Sequence, residues 1–337
     1  MSELAWRAYA KINLCLSVGA PEPQGSPKAG WHLIASWMQC IDLFDGVRMR
    51  RLPDGAKATA SVGWAPDAPR PSDIDWPIEK DLAFRALTAL EGHFGRPLPV
   101  ALEVAKRIPV GGGLGGGSSD AAAVLLGVPR LFDLTLATDD LRRLAASLGS
   151  DVGFFADEQA GPDHAARPAI VAGFGEEVRR VDAADSALVL VIPGYACPTG
   201  PVYAAFDEHL KELQRAESLE RARRGLTGPE RQLGPRIGMV ESRWDRAMKA
   251  GQVDGDRLFN DLAIPAFRVE PRLGELVTTL SRATHQRARV TGSGSCIFMP
   301  ERPSRAAKLL ERVQRVLSEV SEEEYGRGAT ALLTRLV

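Results

Sequence analysis

Between Lys106 and Asp120 the chain reads Lys-Arg-Ile-Pro-Val-Gly-Gly-Gly-Leu-Gly-Gly-Gly-Ser-Ser-Asp, with six glycines in the seven positions 111–117. Glycine lacks a Cβ and loses the most backbone freedom on ordering, so such a run belongs in a loop and not inside a helix or strand. Its flanks decide which kind of loop. Residues 100–108 are expected to form a strand that runs straight into it. A helix is expected from Ser118 or Ser119 to about Val128, with the serines as caps or as donors and Pro129 as its stop. A strand, a glycine loop and a helix N-terminus in succession aim backbone N–H groups and the positive end of a helix dipole at one point, which suits a phosphate.

Other glycine loops fit less well. A P-loop requires GxxxxGK[ST], and Ser118 stands where its lysine belongs. A dinucleotide fingerprint is met formally by Gly111, Gly113 and Gly116 with Asp133 downstream. The segment after the loop helix reads as more helix, however, so no second strand carries that acid. A flexible linker is at odds with the strand and helix that flank the loop so closely.

The 337 residues suffice for two packed domains. A net charge of −1 gives no global pull toward nucleic acid or anionic lipid, so an anionic ligand must be held locally. Cys15, Cys40, Cys197 and Cys296 lie far apart, with no CxxC pair and no clustered histidine. That spacing argues against a zinc site or a disulfide framework and fits a reducing compartment. No run of about 18 apolar residues occurs, and the N-terminus lacks a basic-then-apolar signal. The cytoplasm is the expected location, with neither a membrane nor a nucleic acid as partner.

Along the chain, residues 8–18 and 32–43 are expected strands joined by a Pro/Gly-rich loop, and 52–78 surface connections. A helix is expected over 81–94, and another after Asp139 or Asp140, ending at Gly149. Residues 169–172, 187–192, 288–290, 295–299 and 330–337 read as strands, and 270–283 and 304–320 as helices. The second of these strands is apolar throughout, which suggests burial on both faces. Residues 205–255 are charged and helical in pattern. A composition shift near residues 159–167 suggests a boundary, giving expected domains over 1–160 and 161–337 and an α+β fold.

The stretch from Pro109 to Asp120 resembles the central motif of the GHMP kinases, the galacto-, homoserine, mevalonate and phosphomevalonate kinases. Ala10-Lys-Ile-Asn-Leu14, Gly149-Ser-Asp-Val152 and Thr291-Gly-Ser-Gly-Ser295 agree with that family in order and spacing. The resemblance spans nearly the whole chain apart from residues 205–255. It implies a two-domain GHMP kinase fold, with a ribosomal-protein-S5-like ATP-binding N-terminal domain and a ferredoxin-like α/β substrate-binding C-terminal domain. It also implies ATP binding through Pro109, Val110, Gly111, Gly112, Gly113, Leu114, Gly115, Gly116, Gly117, Ser118 and Ser119. Mg2+ would be carried with the ATP, near Ser118, and no metal ligand is singled out.

Phosphoryl transfer to a hydroxyl needs a positioned acceptor, charge neutralisation and, often, a carboxylate to take the proton. The resemblance makes Asp151 that base and pairs it with Lys11; residue chemistry alone also allows Asp151 as a helix N-cap and Lys11 as a strand-edge lysine reaching solvent. Asn13 shares the face of Lys11 by the two-residue strand period. Gly153 stands where the family usually has proline. The form with two glycine triplets resembles the branch whose acceptor is a cytidine-diphosphate methylerythritol. Trp31 and Tyr203 would then stack the cytosine, with His32 on its polar edge, and Gly292 and Ser293 would lie beside the acceptor. Asp81-Leu82 replaces the family's Asn-Leu, which leaves the contacts of the ATP base open. Two other readings remain: another GHMP-type kinase, acting on homoserine or mevalonate, and a non-catalytic nucleotide-binding protein. None of these motifs specifies an oligomeric state.

Overall fold

The computed structural model describes residues 2–223 and 234–337. Its backbone is the long antiparallel hairpin of β1 (Glu3–Pro21) and β2 (His32–Arg51). The second half of β2 pairs with β4 (Val100–Lys106), which pairs in parallel with the edge strand β3 (Thr59–Trp64). The first half of β2 pairs with β5 (Ala169–Gly173), and β5 in turn with β6 (Glu177–Arg180). β8 (Phe259–Asn260) adds in parallel along β1 and completes a seven-stranded sheet. β3 is a strand within a segment expected to be only surface connection. The Pro, Asp and Gly residues on either side of it hid it, and an edge strand needs a partner more than it needs an apolar face.

The helices α1 (Leu82–Phe94), α2 (Gly116–Leu131), α3 (Thr138–Leu148) and the short α4 (Val152–Phe155) gather on one face of this sheet. α2 is buried along nearly its whole length from Ser119 onward, so it has no polar face. It continues through Pro129 to Leu131. A proline in the last turn forfeits one N–H, and Phe132 N closes the end on Val128 O at 3.2 Å. At its other end neither serine caps the helix. Gly115 is the N-cap, at φ 73°, a conformation open to glycine.

The second sheet is antiparallel, in the order β11 (Thr330–Arg335), β7 (Ala187–Ile192), β10 (Ile297–Glu301), β9 (Arg289–Val290). α7 (Ala263–Val269), α8 (Pro271–Thr284) and α9 (Pro303–Glu319) belong to this half of the molecule. β7 is buried on both faces, as its apolar run requires. Val189 and Val191 join the core under α8 and α9, whereas Leu188, Leu190 and Ile192 pack with Ile12, Leu14, Trp37 and Ile41 of the first hairpin. Trp37 and Phe298 are fully enclosed at this junction, where truncation to alanine costs about 3–5 kcal/mol. The charged 205–255 segment carries most of α5 (Thr199–Arg223) and all of α6 (Ile237–Ala250), and its residues 224–233 lie outside the described residues. All four cysteines are free and buried. No helix among the described residues is long and apolar enough to cross a membrane.

Candidate active site

A cavity of about 900 Å³ is lined by β1, β2 and the end of β4 and by the turn between β9 and β10, and the glycine loop forms its floor. Pro109, Val110, Gly111, Gly112, Gly113, Leu114, Gly115, Gly116, Gly117 and Ser118 all line it. The glycines are there because the loop is wedged between other main chains. A Cβ on Gly113 would come within 2.2 Å of Thr291 O, and one on Gly294 within 2.1 Å of Gly113 N. The two glycine turns thus interlock, and Cys296 N donates to Gly112 O at 3.1 Å. Ser119 differs from its neighbour. It is buried beside Trp6, Ala122 and Phe155, away from the main cavity, and its N–H bonds Gly115 O at 2.9 Å.

Above the loop stands Lys11, mid-strand on β1. Its Nζ donates to Asn13 Oδ1 at 2.7 Å and lies 3.2 Å from Asp151 Oδ2. The lysine is buried and the carboxylate partly exposed, so the ammonium sits behind an acid that faces the cavity. Asp151 holds the N-cap position of α4, but its side chain makes no capping bond; it turns to Lys11 instead. Asn13 is fixed by Ser36 Oγ at 2.8 Å, and its backbone N–H donates to Thr291 Oγ1 at 2.9 Å. Gly292 reaches the same spot, since a Cβ there would be 3.6 Å from Lys11 Nζ. Ser293 Oγ meets Thr199 Oγ1 at 2.8 Å and ties this turn to α5. Near Asp151 the Gly153 position is tight, because a Cβ there would stand 3.1 Å from Gly175 O.

Sequence reasoning missed a second buried cluster under the loop. Lys106, at the end of β4, donates to Asp120 Oδ2 on α2 at 2.7 Å and to Asp45 on β2. Asp45 also accepts the backbone N–H groups of Arg107 and, at 2.8 Å, Ile108. Both ends of the glycine loop are therefore tied through one ammonium. Burial disfavours the charge on Lys106, yet Asp120 and Asp45 outweigh it and raise its pKa above the ordinary lysine value. Burial raises Asp120 well above the usual carboxylate range, against the pull of Lys106. The available signal was a lysine directly before the loop and an aspartate directly after it. Trp76, Asp81 and Leu82 line the same cavity, and Asp81 caps α1 through Ala83 N at 2.9 Å while accepting Trp76 Nε1 at 3.1 Å.

At the other end the structure brings Trp31, His32 and Tyr203 into one wall. Trp31 is 53% exposed and meets Phe174 edge-on at 6.2 Å, with Lys28 Nζ over its ring at 4.4 Å. Phe174, from the β5–β6 turn, is an aromatic the sequence reading did not single out. His32 is buried between Tyr203 and Phe206. Burial and then the charge of Asp151 push the Tyr203 hydroxyl up to about 12, so it stays neutral and the ring offers a face, not a charge. Floor, carboxylate and aromatic wall together form a site that can seat a polyphosphate, activate a hydroxyl beside it and hold a flat group farther out.

Known proteins match this chain in sequence and fold. Residues 81–165 match the GHMP kinases N terminal domain and residues 240–319 the GHMP kinases C terminal domain. A 4-diphosphocytidyl-2-C-methyl-D-erythritol kinase of Nocardioides is 33% identical over 297 residues, covering 87% of each chain. The enzyme of that name from Ralstonia pickettii is 30% identical over 96% of this chain and 92% of its own. A solved 4-(cytidine 5'-diphospho)-2C-methyl-D-erythritol kinase superposes with a TM-score of 0.67 at 28% identity, covering 99% of this chain and 100% of its own. Homoserine kinase from Cytophaga hutchinsonii, at 15% identity and a TM-score of 0.59 over 100% of this chain and 95% of its own, shares the fold. The chain belongs to the GHMP kinase family, on the branch of the 4-diphosphocytidyl-2-C-methyl-D-erythritol kinases.

Proposed function

We propose that this chain transfers the γ-phosphate of ATP to the 2-hydroxyl of 4-diphosphocytidyl-2-C-methyl-D-erythritol, a step in the non-mevalonate route to isoprenoid precursors. One observation carries the reading. The Lys11–Asp151 pair lies between a glycine cradle and an aromatic wall, all lining a single cavity. Pro109 to Ser118 would seat the triphosphate with backbone N–H groups, with Ser119 supporting the loop from behind. Asp151 would accept the proton of the acceptor hydroxyl. Lys11 would hold that carboxylate in place and offset charge as the phosphoryl group moves, and Asn13 would orient the lysine. Trp31, Tyr203 and His32 would hold the cytidine, with Gly292 and Ser293 alongside.

The cradle fits a phosphate chain because added Cβ atoms would strike neighbouring main chain and Lys11 itself. Among the described residues no group of three or more His, Cys, Asp or Glu side chains is placed to hold a metal. Mg2+ would ride on the nucleotide's phosphates near Ser118, supplying charge neutralisation when bound. In this reading the first sheet carries the nucleotide and the second sheet closes the acceptor side. The enzyme works on a small molecule in the cytoplasm. A panel of cytidine-diphosphate methylerythritol, homoserine and mevalonate with ATP tests the assignment. Turnover of the first alone supports it, turnover of another moves the chain to a different GHMP activity, and no ATP consumption leaves a nucleotide-binding protein.

A further inference from the structure

The acceptor-side glycine turn, residues 291–295, runs from β9, the edge strand of the second sheet, to β10. Gly292 and Gly294 have no side chains to anchor it, so its place depends on what its main chain can bond. Thr291 N donates to Cys296 O at 3.1 Å, toward β10. Backbone groups alternate in direction along a strand, so the carbonyls of Val290 and Gly292 point the other way, off the sheet edge. Both residues are buried, and carbonyls left unpaired there would be costly.

Asn260 meets both of them. Its Nδ2 donates to Val290 O at 3.0 Å and to Gly292 O at 2.7 Å, and its Oδ1 accepts the N–H of Leu262 at 2.9 Å. Two carbonyls on one side and an N–H on the other fix which way the amide faces. An aspartate would have the shape without the hydrogens.

Asn260 belongs to β8, which pairs with β1 at Cys15 and Leu16. The next residue fastens the same strand. Asp261 N donates to Leu16 O at 3.0 Å, and Asp261 Oδ2 accepts from Ser17 Oγ at 2.8 Å and Val18 N at 3.1 Å. The turn is therefore pinned to β1 twice, at Gly292 through Asn260 and at Thr291 through the N–H of Asn13. Lys11 stands on that same strand. Between the two pins Gly292 sits at φ 58°, so close that an added Cβ would be 3.2 Å from Asn13 Oδ1 and 3.6 Å from Lys11 Nζ. Asn260 itself stands outside the cavity wall.

Resting on the proposed reading of the cavity, we propose that Asn260 is a positioning residue for phosphoryl transfer. From outside the cavity it holds the acceptor-side glycine turn against Lys11 and Asn13, and so sets how the acceptor hydroxyl meets the Lys11–Asp151 pair. Its loss should fall on turnover more than on nucleotide binding. The ATP cradle touches the same turn at Gly113 but is fastened separately, through Lys106 to Asp45 and Asp120.

The test compares the full chain with Asn260→Ala, which removes the donors, and Asn260→Asp, which keeps the shape and turns an acceptor toward both carbonyls. With ATP and the cytidine acceptor, kcat per folded molecule is expected to fall about ten- to a hundredfold in Asn260→Ala, the scale of a displacement of about 1 Å at the reacting groups. Asn260→Asp should lose at least as much, and the KM for ATP should stay nearly unchanged in both. Hydrogen exchange, read by mass spectrometry on peptides covering residues 290–297, should quicken in both variants. Unchanged kcat in either folded variant overturns the proposal, as does unchanged exchange across the turn. Losses that only follow the folded fraction, or that fall equally on kcat and on ATP binding, would make Asn260 merely structural and also overturn it. If the wild-type protein phosphorylates no cytidine acceptor, the proposed function is what fails, and exchange across the turn still decides whether Asn260 holds it.

Discussion

Lys11 Nζ and Asp151 Oδ2 stand 3.2 Å apart, the lysine buried on β1 and the carboxylate partly exposed at the N-terminus of α4. An ammonium behind and a cavity in front leave the acid with an oxygen open to an incoming hydroxyl. Asp151→Asn preserves shape but cannot take a proton. Its kcat should fall about 10²–10⁴-fold, the range of proton-transfer assistance, with ATP affinity nearly unchanged. Paired measurements of kcat and nucleotide Kd check this, and near-normal turnover would remove Asp151 from the role of base.

Gly115 is the hinge between loop and helix, at φ 73°. A Cβ there would come within 2.9 Å of the Phe155 ring and 3.2 Å of Lys11 Cε. Gly115→Val should therefore weaken ATP binding and slow turnover together, because the side chain narrows the cradle and displaces Lys11. The backbone strain alone should cost about 1–3 kcal/mol of stability. Isothermal titration with ATP beside thermal unfolding separates the effects. Normal ATP binding by folded protein would mean that the loop is only structural.

Tyr203 presents its ring to His32 at the cavity wall. Removing an aromatic that stacks on a base typically costs about 1–3 kcal/mol, so Tyr203→Ala should raise the KM for a cytidine acceptor roughly ten- to a hundredfold. Trp31→Ala and Phe174→Ala should act in the same direction, since those two rings pack on each other. ATP affinity should hardly move in any of the three. An unchanged acceptor KM across the set would dismiss the aromatic clamp.

Asp157 gives a pH signature away from the cavity. Burial pushes its carboxyl up, but hydrogen bonds from the Arg167 side chain and backbone, with the charge of Arg180, outweigh burial and bring it to about 2. An unfolded aspartate titrates near 3.9. The folded value is the lower one, so this stability is fully present above about pH 4 and is lost as pH falls through about 2. The contribution should be about 2 kcal/mol. Urea unfolding at a series of pH values should show this component in the wild-type protein and lack it in Asp157→Asn. Parallel profiles for the two would exclude it.

Much of the site was legible because its chemistry is local. Six glycines in seven positions admit only a loop, and the strand before it and the helix after it follow from short-range patterning. The helix boundaries were less legible. Ser118 and Ser119 have the composition of caps, yet the cap is Gly115, because a left-handed backbone at that point lets the helix start three residues earlier. β3 and the membership of β5 and β6 in the first sheet were hidden for a different reason, since strand pairing is a choice of partner and not a property of the segment. Asp45 and Phe174 carry no sequence signal that sets them apart from surface acids and core aromatics.

By itself, then, the sequence determined the loop, the alternation of the long strands and the residue types able to grip phosphate, move a proton and stack a base. Those properties depend on neighbours within a few residues. Tertiary structure alone decided that Lys11 meets Asp151 and not solvent, and that Lys106 joins both ends of the glycine loop. It also placed both nitrogens of His32 against acceptors. A buried charge has to find a partner, but which one lies within about 3 Å depends on how two sheets pack, and that is settled by contacts between residues far apart in the chain.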